Sequence, residues 1–288
     1  MRLRILGTAA GGGVPQWNCA CPGCTGARTN PAWRRTHASL AVEDHIVNAT
    51  PDIAEHVEAL RSGDAPTERT RVMRVVLTDA ELDHTLGLFR LREADELEIV
   101  ATPTVRQALT GGLRLPEVLS PYADLRWRDL TADGPVPLSA GGEVGVQAVP
   151  VSGKRPRYAS DGAAAPDWVV ALRFTDRTTG GTCLYAPAFG VWSPELEAAM
   201  AEADCVIVDG TFWDDEEPRR TGISSRTATE MGHLPVEATA ERLSRLPGRC
   251  LYTHLNNTNP LVDPDAPQHK RLAGLGVEVA ADGMVIEL

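Results

Sequence analysis

Three short runs rich in β-branched and other apolar residues each lead into a side chain that can bind a metal. These runs are residues 72–77, 205–208 and 249–252. The side chains that follow them are Asp79, Asp209 and His254. In folds that mix strands and helices, ligands bind at the carboxyl ends of strands, where loops converge outside the core. The sequence therefore predicts an α/β (α+β) chain with a functional site where several strands end.

Strand-like runs outnumber helical patterns, and the two kinds alternate. The other strand-like runs are 3–6, 40–47, 98–101, 144–149, 168–174, 182–185 and 277–279. The helical patterns are 82–92, 194–203 and 235–246. This interleaving predicts two mixed β-sheets flanked by helices. The Pro/Gly/Asp-rich connection 129–142 is the one candidate boundary, and we expect a single domain over residues 1–288.

Charge limits the classes of function. Among 288 residues, 28 Lys and Arg stand against 39 Asp and Glu, a formal net charge of −11. Nucleic acid and anionic membranes require clustered positive charge, so we expect neither as a partner. No run approaches the roughly eighteen apolar residues of a membrane span, and residues 1–7 reach glycine before a signal-peptide core develops. We expect a cytoplasmic protein.

The segment 79–84 holds four side chains that can bind a metal within six residues. Asp79, Glu81 and Asp83 alternate, so an extended chain would point them to one side, and His84 follows. Carboxylates on one side repel each other unless a cation lies between them. The alternative is an acidic helix N-terminus without a metal. The spacing leaves both interpretations open.

This segment resembles the metallo-β-lactamase superfamily signature His-x-His-x-Asp-His, with Asp79 and Glu81 in place of the first two histidines. Within that superfamily the chain is similar to the PqqB family, which makes pyrroloquinoline quinone (PQQ), over nearly its whole length. The segments that carry the resemblance are 11–19, 48–52, 77–87, 222–225, 231–235 and 254–260. The resemblance implies a metallo-β-lactamase-like αββα sandwich.

The resemblance also implies a site that differs from that of the superfamily's dinuclear zinc hydrolases. Those enzymes hold two ions with five histidines and a bridging aspartate, whereas Ala188 stands at the bridging position here. The ligands that remain are Asp83, His84 and His254, which the resemblance implies as an iron site, with His233 as a proton donor or substrate contact. Candidate additional ligands are Asp79, Glu81 and Asp209. Two histidines and one carboxylate suit non-haem Fe(II) and dioxygen chemistry.

The resemblance implies an iron-dependent hydroxylase that adds oxygen to the tyrosine ring of a crosslinked Glu-Tyr precursor of PQQ. The expected partners are O2 and a small-molecule or short-peptide substrate derived from crosslinked Glu-Tyr. A carrier that moves PQQ or its precursor toward the periplasm, and a metal-dependent hydrolase, are the alternatives. The oligomeric state is open, with a homodimer as one candidate.

Three cysteines, Cys19, Cys21 and Cys24, lie within one six-residue segment, a turn that contains Gly and Pro. Closed sets of thiolates bind structural zinc, so we expect a zinc knuckle near 18–24, the alternative being reduced surface thiols. In a related branch, the cyclic phosphodiesterases of phosphonate breakdown, the fourth ligand is a histidine that corresponds to Asn257 here. The fourth ligand is therefore open.

The remaining polar features are expected to be structural. The histidines outside the motifs are interpreted as surface residues, and they are His37, His45, His56 and His269. The acidic run 214–217 is interpreted as a solvated loop or part of a lid. The glycines at 11–13 are expected to let the chain turn tightly past the edge of the site. The other three cysteines lie in apolar runs and are expected to be buried.

Overall fold

Two β-sheets pack face to face in the computed structural model, which describes residues 1–61, 71–138 and 141–288. The first sheet has the order β14-β1-β2-β3-β4-β5-β6. Its strands are β1 (Arg2–Gly7), β2 (Ser39–Val42), β3 (His45–Val47), β4 (Val72–Val76), β5 (Glu96–Ala101), β6 (Asp124–Asp129) and β14 (Val285–Glu287). Strands β3 to β6 are parallel, and the other pairs are antiparallel.

The second sheet has the order β13-β12-β11-β10-β9-β8-β7. Its strands are β7 (Val136–Pro137), β8 (Val144–Ser152), β9 (Val169–Asp176), β10 (Thr182–Ala186), β11 (Cys205–Asp209), β12 (Arg249–Thr253) and β13 (Val277–Val279). Strands β10 to β13 are parallel, and β7 to β10 are antiparallel. Both sheets are therefore mixed, as the sequence predicts.

Strand β11 shows how one sheet serves two cores. Its five residues are all buried, and successive side chains face opposite sides. Ile207 lies in the apolar cluster between the two sheets, whereas Val206 and Val208 lie in the cluster on the outer face. Truncating Ile207 to Ala would cost about 2–5 kcal/mol of stability.

Helices cover the outer face of each sheet. They are α1 (Pro22–Thr29), α2 (Ile53–Leu60), α3 (Leu82–Thr85), α4 (Pro103–Gln107), α5 (Leu115–Leu119), α6 (Pro194–Ala201), α7 (Glu217–Arg220), α8 (Ala228–Met231), α9 (Val236–Leu243) and α10 (Pro267–Gly274). Side chains of α6, α9 and α10 pack on the second sheet, and those of α2, α4 and α5 pack on the first. The layers are therefore α, β, β and α. No helix in the described ranges is long and apolar enough to cross a membrane.

Two local predictions are wrong. The pattern over 82–92 predicts one α-helix, but α3 ends at Thr85 and a 3-10 helix follows from Leu86 to Glu93. At this change of helix type, Gly87 packs on the backbone of the turn that precedes α2. An added Cβ at Gly87 would collide with the carbonyl oxygen of Thr50. The run 40–47 is two strands rather than one, since the chain reverses at Glu43, whose φ is +54°.

Candidate metal centre

Three potential ligand atoms converge where β4 and β12 end. Asp83 and His84 lie on α3, which follows β4, and His254 follows β12. Asp83 Oδ2 lies 3.5 Å from His254 Nε2 and 3.8 Å from His84 Nε2. Two ligands about 2.1 Å from one ion at a tetrahedral angle lie about 3.4 Å apart. The three side chains would therefore need to move by only a few tenths of an ångström to bind one ion.

His254 adopts a backbone conformation that non-glycine residues seldom use. Its φ is +59°, in the left-handed region. The following residue holds the turn in place, because Leu255 donates to the carbonyl of Thr8 and accepts from the amide of Ala10, both at 2.8 Å. Strain that is held by surrounding structure is typical of functional sites. The turn aims the His254 ring at α3.

Hydrogen bonds behind the two histidine rings fix which ring nitrogen is free. Nδ1 of His84 donates to Asp79 Oδ2 at 2.7 Å. The hydroxyl of Thr211 donates to Asp209 at 2.6 Å, so it accepts from Nδ1 of His254 at 2.8 Å. Each Nδ1 therefore carries a proton, and each neutral ring presents a bare Nε2. Partners of this kind orient metal-binding histidines.

The Nε2 atoms of His84 and His254 are buried and have no hydrogen-bond partner among the described residues. A buried polar atom without a partner costs free energy unless something binds it. Asp83 supplies a carboxylate beside both atoms. Two bare imidazole nitrogens and one carboxylate fit a divalent metal ion.

The charges at this cluster are strongly coupled. Burial would lower the pKa of His84, but the charges of Asp79 and Asp83 outweigh burial and raise that pKa to about 9. Burial would raise the pKa of Asp83, but the neighbouring His84 holds that pKa far below its usual range. Burial and the charge of His84 lower the pKa of His254. Without a metal, the raised pKa favours a second proton on His84, at Nε2, which offsets part of the charge of the two carboxylates and which a metal would displace.

The candidate additional ligands take different positions. Asp79 lies behind His84, and its oxygens accept from Thr78, His84 and the amide of Glu81. Asp209 accepts four hydrogen bonds, one of them from Nδ1 of His233 at 2.7 Å. Both carboxylates orient imidazoles, and Asp209, His233 and His254 also form a second group whose possible ligand atoms lie within 4.8 Å of one another.

Glu81 and His233 line the cavity in front of the metal cluster. Glu81 lies 3.8 Å from the ammonium of Lys154. His233 stacks on His254 at 5.7 Å between ring centroids, and its Nδ1 donates to Asp209. Because Nδ1 is engaged, Nε2 of His233 is the nitrogen that is free to meet a ligand.

The cavity has a volume of about 980 Å³, and Asp83, His84 and His254 lie in its wall. Its apolar lining residues are Leu82, Val169, Phe189, Val191 and Phe212. Its cationic lining residues are Lys154, Arg155, Arg157 and Arg226. Ala188, which the resemblance aligns with the bridging aspartate of superfamily hydrolases, also lines it.

The prediction that the histidines outside the motifs lie at the surface is wrong for three of them. His45 and His56 are each 1% exposed. The His37 ring is 13% exposed, and its Nδ1 donates to Asp52 at 2.6 Å. Its Nε2 lies 3.3 Å from the carbonyl oxygen of Gly11, which lines the cavity. Both neighbours are acceptors, which favours the doubly protonated ring.

His37 therefore contacts the turn at Gly11 beside the cavity, a position that the sequence interpretation missed. Burial would lower its pKa, but the hydrogen bond and charge of Asp52 raise it. One sequence feature could have indicated the buried position of His37. Its partner Asp52 lies in the segment 48–52, which is one of the segments that carry the resemblance. The context of His37 itself, polar and before a strand, gives no such signal.

The three cysteine sulphurs at the start of α1 lie within 4.8 Å of one another. Asn257 donates Nδ2 to Cys19 Sγ at 3.1 Å and to Cys21 Sγ at 3.3 Å. Burial would raise the pKa of Cys21, but hydrogen bonds from Cys24 and Asn257 outweigh burial and lower it. The structure thus brings the predicted zinc ligands together, with Asn257 beside them as a donor to sulphur.

The acidic run 214–217 is not uniformly solvated. Glu217 is 1% exposed. It accepts from the amide of Trp213 and from the hydroxyl of Thr258, both at 2.6 Å. Glu217 therefore ties the segment before α7 to the loop that follows His254. The remaining cysteines, Cys183, Cys205 and Cys250, are buried as predicted.

Comparison with known proteins shows which family this chain resembles. A family model described as a beta-lactamase superfamily domain matches residues 45–255. The chain is 41% identical to coenzyme PQQ synthesis protein B of Azoarcus sp. (strain BH72), with both chains covered in full. It is 38% identical to the protein of the same name from Pseudomonas putida (strain GB-1), again over the full length of both.

Solved structures agree with the sequence comparison. The Zn²⁺-bound PqqB from Methylobacterium extorquens matches with a TM-score of 0.87 and 28% identity, covering both chains in full. A diphosphatase of the PhnP family shares the fold, with a TM-score of 0.69 and 18% identity over 100% of this chain and 97% of its own. The chain therefore belongs to the PqqB (coenzyme PQQ synthesis protein B) family of the β-lactamase superfamily.

Proposed function

We propose that this protein acts in PQQ biosynthesis as an Fe(II)- and O2-dependent hydroxylase of the tyrosine ring in a crosslinked Glu-Tyr precursor. The observation that carries the proposal is the set of Asp83, His84 and His254, with two buried, unpartnered imidazole nitrogens beside one carboxylate. That set suits a single iron with open positions. The relatives named coenzyme PQQ synthesis protein B support the pathway.

The residues around the set argue against a dinuclear hydrolase. Hydrolysis between two metals needs ligands for both ions. Ala188 offers no bridging carboxylate, and the oxygens of Asp209 already accept from Phe189, Thr211 and His233. Asp209, His233 and His254 form a second group of possible ligands. Because both Nδ1 atoms of that group are already hydrogen-bonded to Asp209 or Thr211, we assign the single ion to Asp83, His84 and His254.

The reaction converts a ring C–H bond into C–OH with one atom of dioxygen. The second atom leaves as water, and this requires two electrons from an added reductant and two protons from solvent. Fe(II), when bound, supplies the electron transfer and open coordination positions that activate dioxygen. The protein residues hold and orient the substrate and exclude water.

His233 is the residue we assign to the phenol of the substrate. Its Nδ1 donates to Asp209, so Nε2 is a hydrogen-bond acceptor at the cavity. Accepting the phenolic proton would orient the ring and raise its electron density. Phe189 and Phe212 provide an apolar wall for that ring.

We also propose that Cys19, Cys21 and Cys24 hold a structural Zn²⁺. Convergent sulphurs that accept N–H hydrogen bonds are typical of structural thiolate sites. The amide of Gln16 donates to Cys24 Sγ at 3.2 Å, and Asn257 donates to the other two sulphurs. The Zn²⁺-bound relative supports metal binding in this family.

The test begins with anaerobic reconstitution with Fe(II), followed by addition of crosslinked Glu-Tyr, a reductant and isotopically labelled dioxygen. We expect a product that contains one labelled oxygen atom. The variants His84→Ala and His254→Ala should lose turnover and bind Fe(II) more weakly, whereas His269→Ala, outside the cavity, should retain both.

Other outcomes would contradict the proposal. Loss of the Glu-Tyr compound without oxygen, or turnover of a generic phosphodiester, would indicate a hydrolase. Tight binding of PQQ with no turnover under any condition would indicate a carrier.

A further inference from the structure

The cavity wall carries arginines that lack carboxylate partners. Arg155 and Arg157 follow β8, and Arg226 precedes α8. No carboxylate in the described ranges lies within ion-pair distance of these three side chains. By contrast, Arg219 and Arg220, on the helix before Arg226, each pair with a carboxylate.

The absence of partners is notable in a chain with a net charge of −11. Such a chain has many carboxylates available for pairing, and grouped cations repel unless an anion lies between them. Arg155 donates to the carbonyl of Ser160 at 2.9 Å, which fixes one edge of its guanidinium and leaves other N–H groups free. A guanidinium binds carboxylate in bidentate fashion.

Lys154 differs from its arginine neighbours. Its ammonium donates to the carbonyl of Met231 at 2.7 Å and lies 3.8 Å from Glu81. These contacts join the loop after β8 to the segment before His233. Lys154 is therefore paired with a carboxylate. The three arginines, of which Arg226 also donates to the carbonyl of Glu230 at 3.5 Å, are the cations of the wall with no carboxylate of the described residues within ion-pair distance.

Another part of the wall is apolar and aromatic. Phe189 and Phe212 line the cavity, and Tyr158 presents its ring because its hydroxyl donates to the carbonyl of Ala80 at 2.6 Å. Ligand cavities bury aromatic groups in this way and use a few polar groups to fix orientation. The combination suits a ligand with an aromatic ring and several carboxylates.

We propose that Arg155, Arg157 and Arg226 form a carboxylate-binding subsite for an aromatic polycarboxylic acid. The subsite holds the carboxylates at one wall while the ring faces His233 and the metal cluster. The identity of the substrate rests on the proposed function, but the binding of carboxylates does not. The subsite therefore has its own test.

The test measures binding of crosslinked Glu-Tyr and of its fully esterified analogue to zinc-loaded protein by calorimetry, without oxygen or reductant. We expect the wild-type protein to prefer the free acid. Arg155→Gln, Arg157→Gln and Arg226→Gln should each raise the Kd for the free acid about tenfold, and the Kd for the ester should not change.

A matched control separates the subsite from general electrostatics. Arg126→Gln removes the same charge from exposed strand β6, where Arg126 pairs with Asp124 and Glu96. This variant should keep the wild-type Kd. Arg226→Lys, which retains charge without the bidentate geometry, should lose less affinity than Arg226→Gln.

Three results would overturn the subsite: no wild-type preference for the free acid, unchanged Kd in the arginine variants, or an equal loss in Arg126→Gln. The test also separates the two proposals. If the wild-type protein prefers the free acid but never hydroxylates it, the proposed function fails and the subsite stands. If hydroxylation occurs with unchanged Kd and kcat/KM in the variants, the subsite fails and the function stands.

Discussion

A Cβ atom built on Gly11 would lie 3.2 Å from Oδ2 of Asp83. The backbone at Gly11 therefore covers the carboxylate that faces both metal-site histidines. The φ of Gly11 is not in the left-handed region, so the glycine is required by close approach and not by backbone conformation. This contact accounts for a glycine at position 11.

Gly11→Ala should weaken metal binding at the Asp83 cluster about tenfold, because Asp83 must shift by a few tenths of an ångström and ligand placement of that order matters. Titration with a competing chelator would measure the change. Gly274→Ala is the control, since nothing lies within 4 Å of an added Cβ there. Unaltered affinity in Gly11→Ala would show that Asp83 is not a ligand or can move freely.

The strand-end pattern and the family resemblance together single out Asp83, His84 and His254, and the structure brings their ligand atoms within 4.8 Å of one another. The side-chain identities and the strand boundaries are both local features of the sequence. The roles of Asp79 and Asp209 were not predictable, since they depend on side-chain direction. The alternation argument assumed an extended chain through residue 83, but α3 begins at Leu82. Asp79 therefore turns inward to His84, and Glu81 turns to the cavity.

His37 and Glu217 show a second limit. Each makes its hydrogen bonds to residues that are distant in sequence or to backbone groups, such as Asp52 and Gly11 for His37. Polar local context predicts exposure for both, and tertiary packing overrides it. The run 214–217 mixes exposed and buried acids, so composition alone could not separate Glu217 from its neighbours.

His37→Gln should remove a pH-dependent part of the stability. The pKa of His37 is raised in the folded protein. Its contribution is therefore complete below about pH 6.5, the ordinary value, and is lost as pH rises through the folded-state pKa. Thermal unfolding from about pH 5 to about pH 9 should show a flatter profile in the variant.

His37→Gln should also lower kcat/KM, because the neutral amide holds the Gly11 carbonyl less firmly. His269→Gln is the matched control, since its ring meets the carbonyls of Leu261 and Asp263 away from the cavity. Equal pH profiles in wild type and His37→Gln would show that the doubly protonated ring is absent.

Metal affinity should rise with pH up to about 9, the pKa that the flanking carboxylates give His84. Below that pH a metal must displace the His84 proton, so apparent affinity should change about tenfold per pH unit. An unperturbed histidine would end this dependence near about pH 6.5. Chelator competition from about pH 6 to about pH 9 measures the slope.

Asp79→Asn should shift this dependence to lower pH, because it removes the largest charge that raises the pKa of His84. The amide oxygen can still accept from Nδ1 of His84, so the ring orientation should persist. A slope that is the same in wild type and variant would contradict the assigned role of Asp79.

Glu217→Gln should stabilise the protein at alkaline pH. Burial raises the pKa of Glu217 from 4.5 to about 7. Since the folded-state pKa is above the ordinary value, its contribution is complete below about pH 4.5 and is lost as pH rises through about 7. The loss is on the order of 2–3 kcal/mol.

The amide introduced by Glu217→Gln would mimic the protonated acid toward Trp213 and Thr258, so the Tm advantage over wild type should reach about 5 °C at high pH. Glu216→Gln, at an exposed neighbour, should show no such trend. A Tm difference between Glu217→Gln and wild type that does not vary with pH would mean that Glu217 titrates normally.

Cys21→Ser should lower zinc content and Tm together. Cys21 is the N-cap of α1, and its sulphur accepts from Nδ2 of Asn257 at 3.3 Å, three residues after His254. Zinc at this cluster would therefore fasten the N-terminal turn to the loop that carries a metal-site histidine. Binding energy at a structural zinc contributes directly to folding, so we expect Tm to fall by about 5–10 °C.

Cys250→Ala, at a buried thiol outside the cluster, should lower Tm through a packing defect without loss of zinc. Metal analysis beside thermal unfolding distinguishes the two effects, and full zinc content in Cys21→Ser would refute the knuckle.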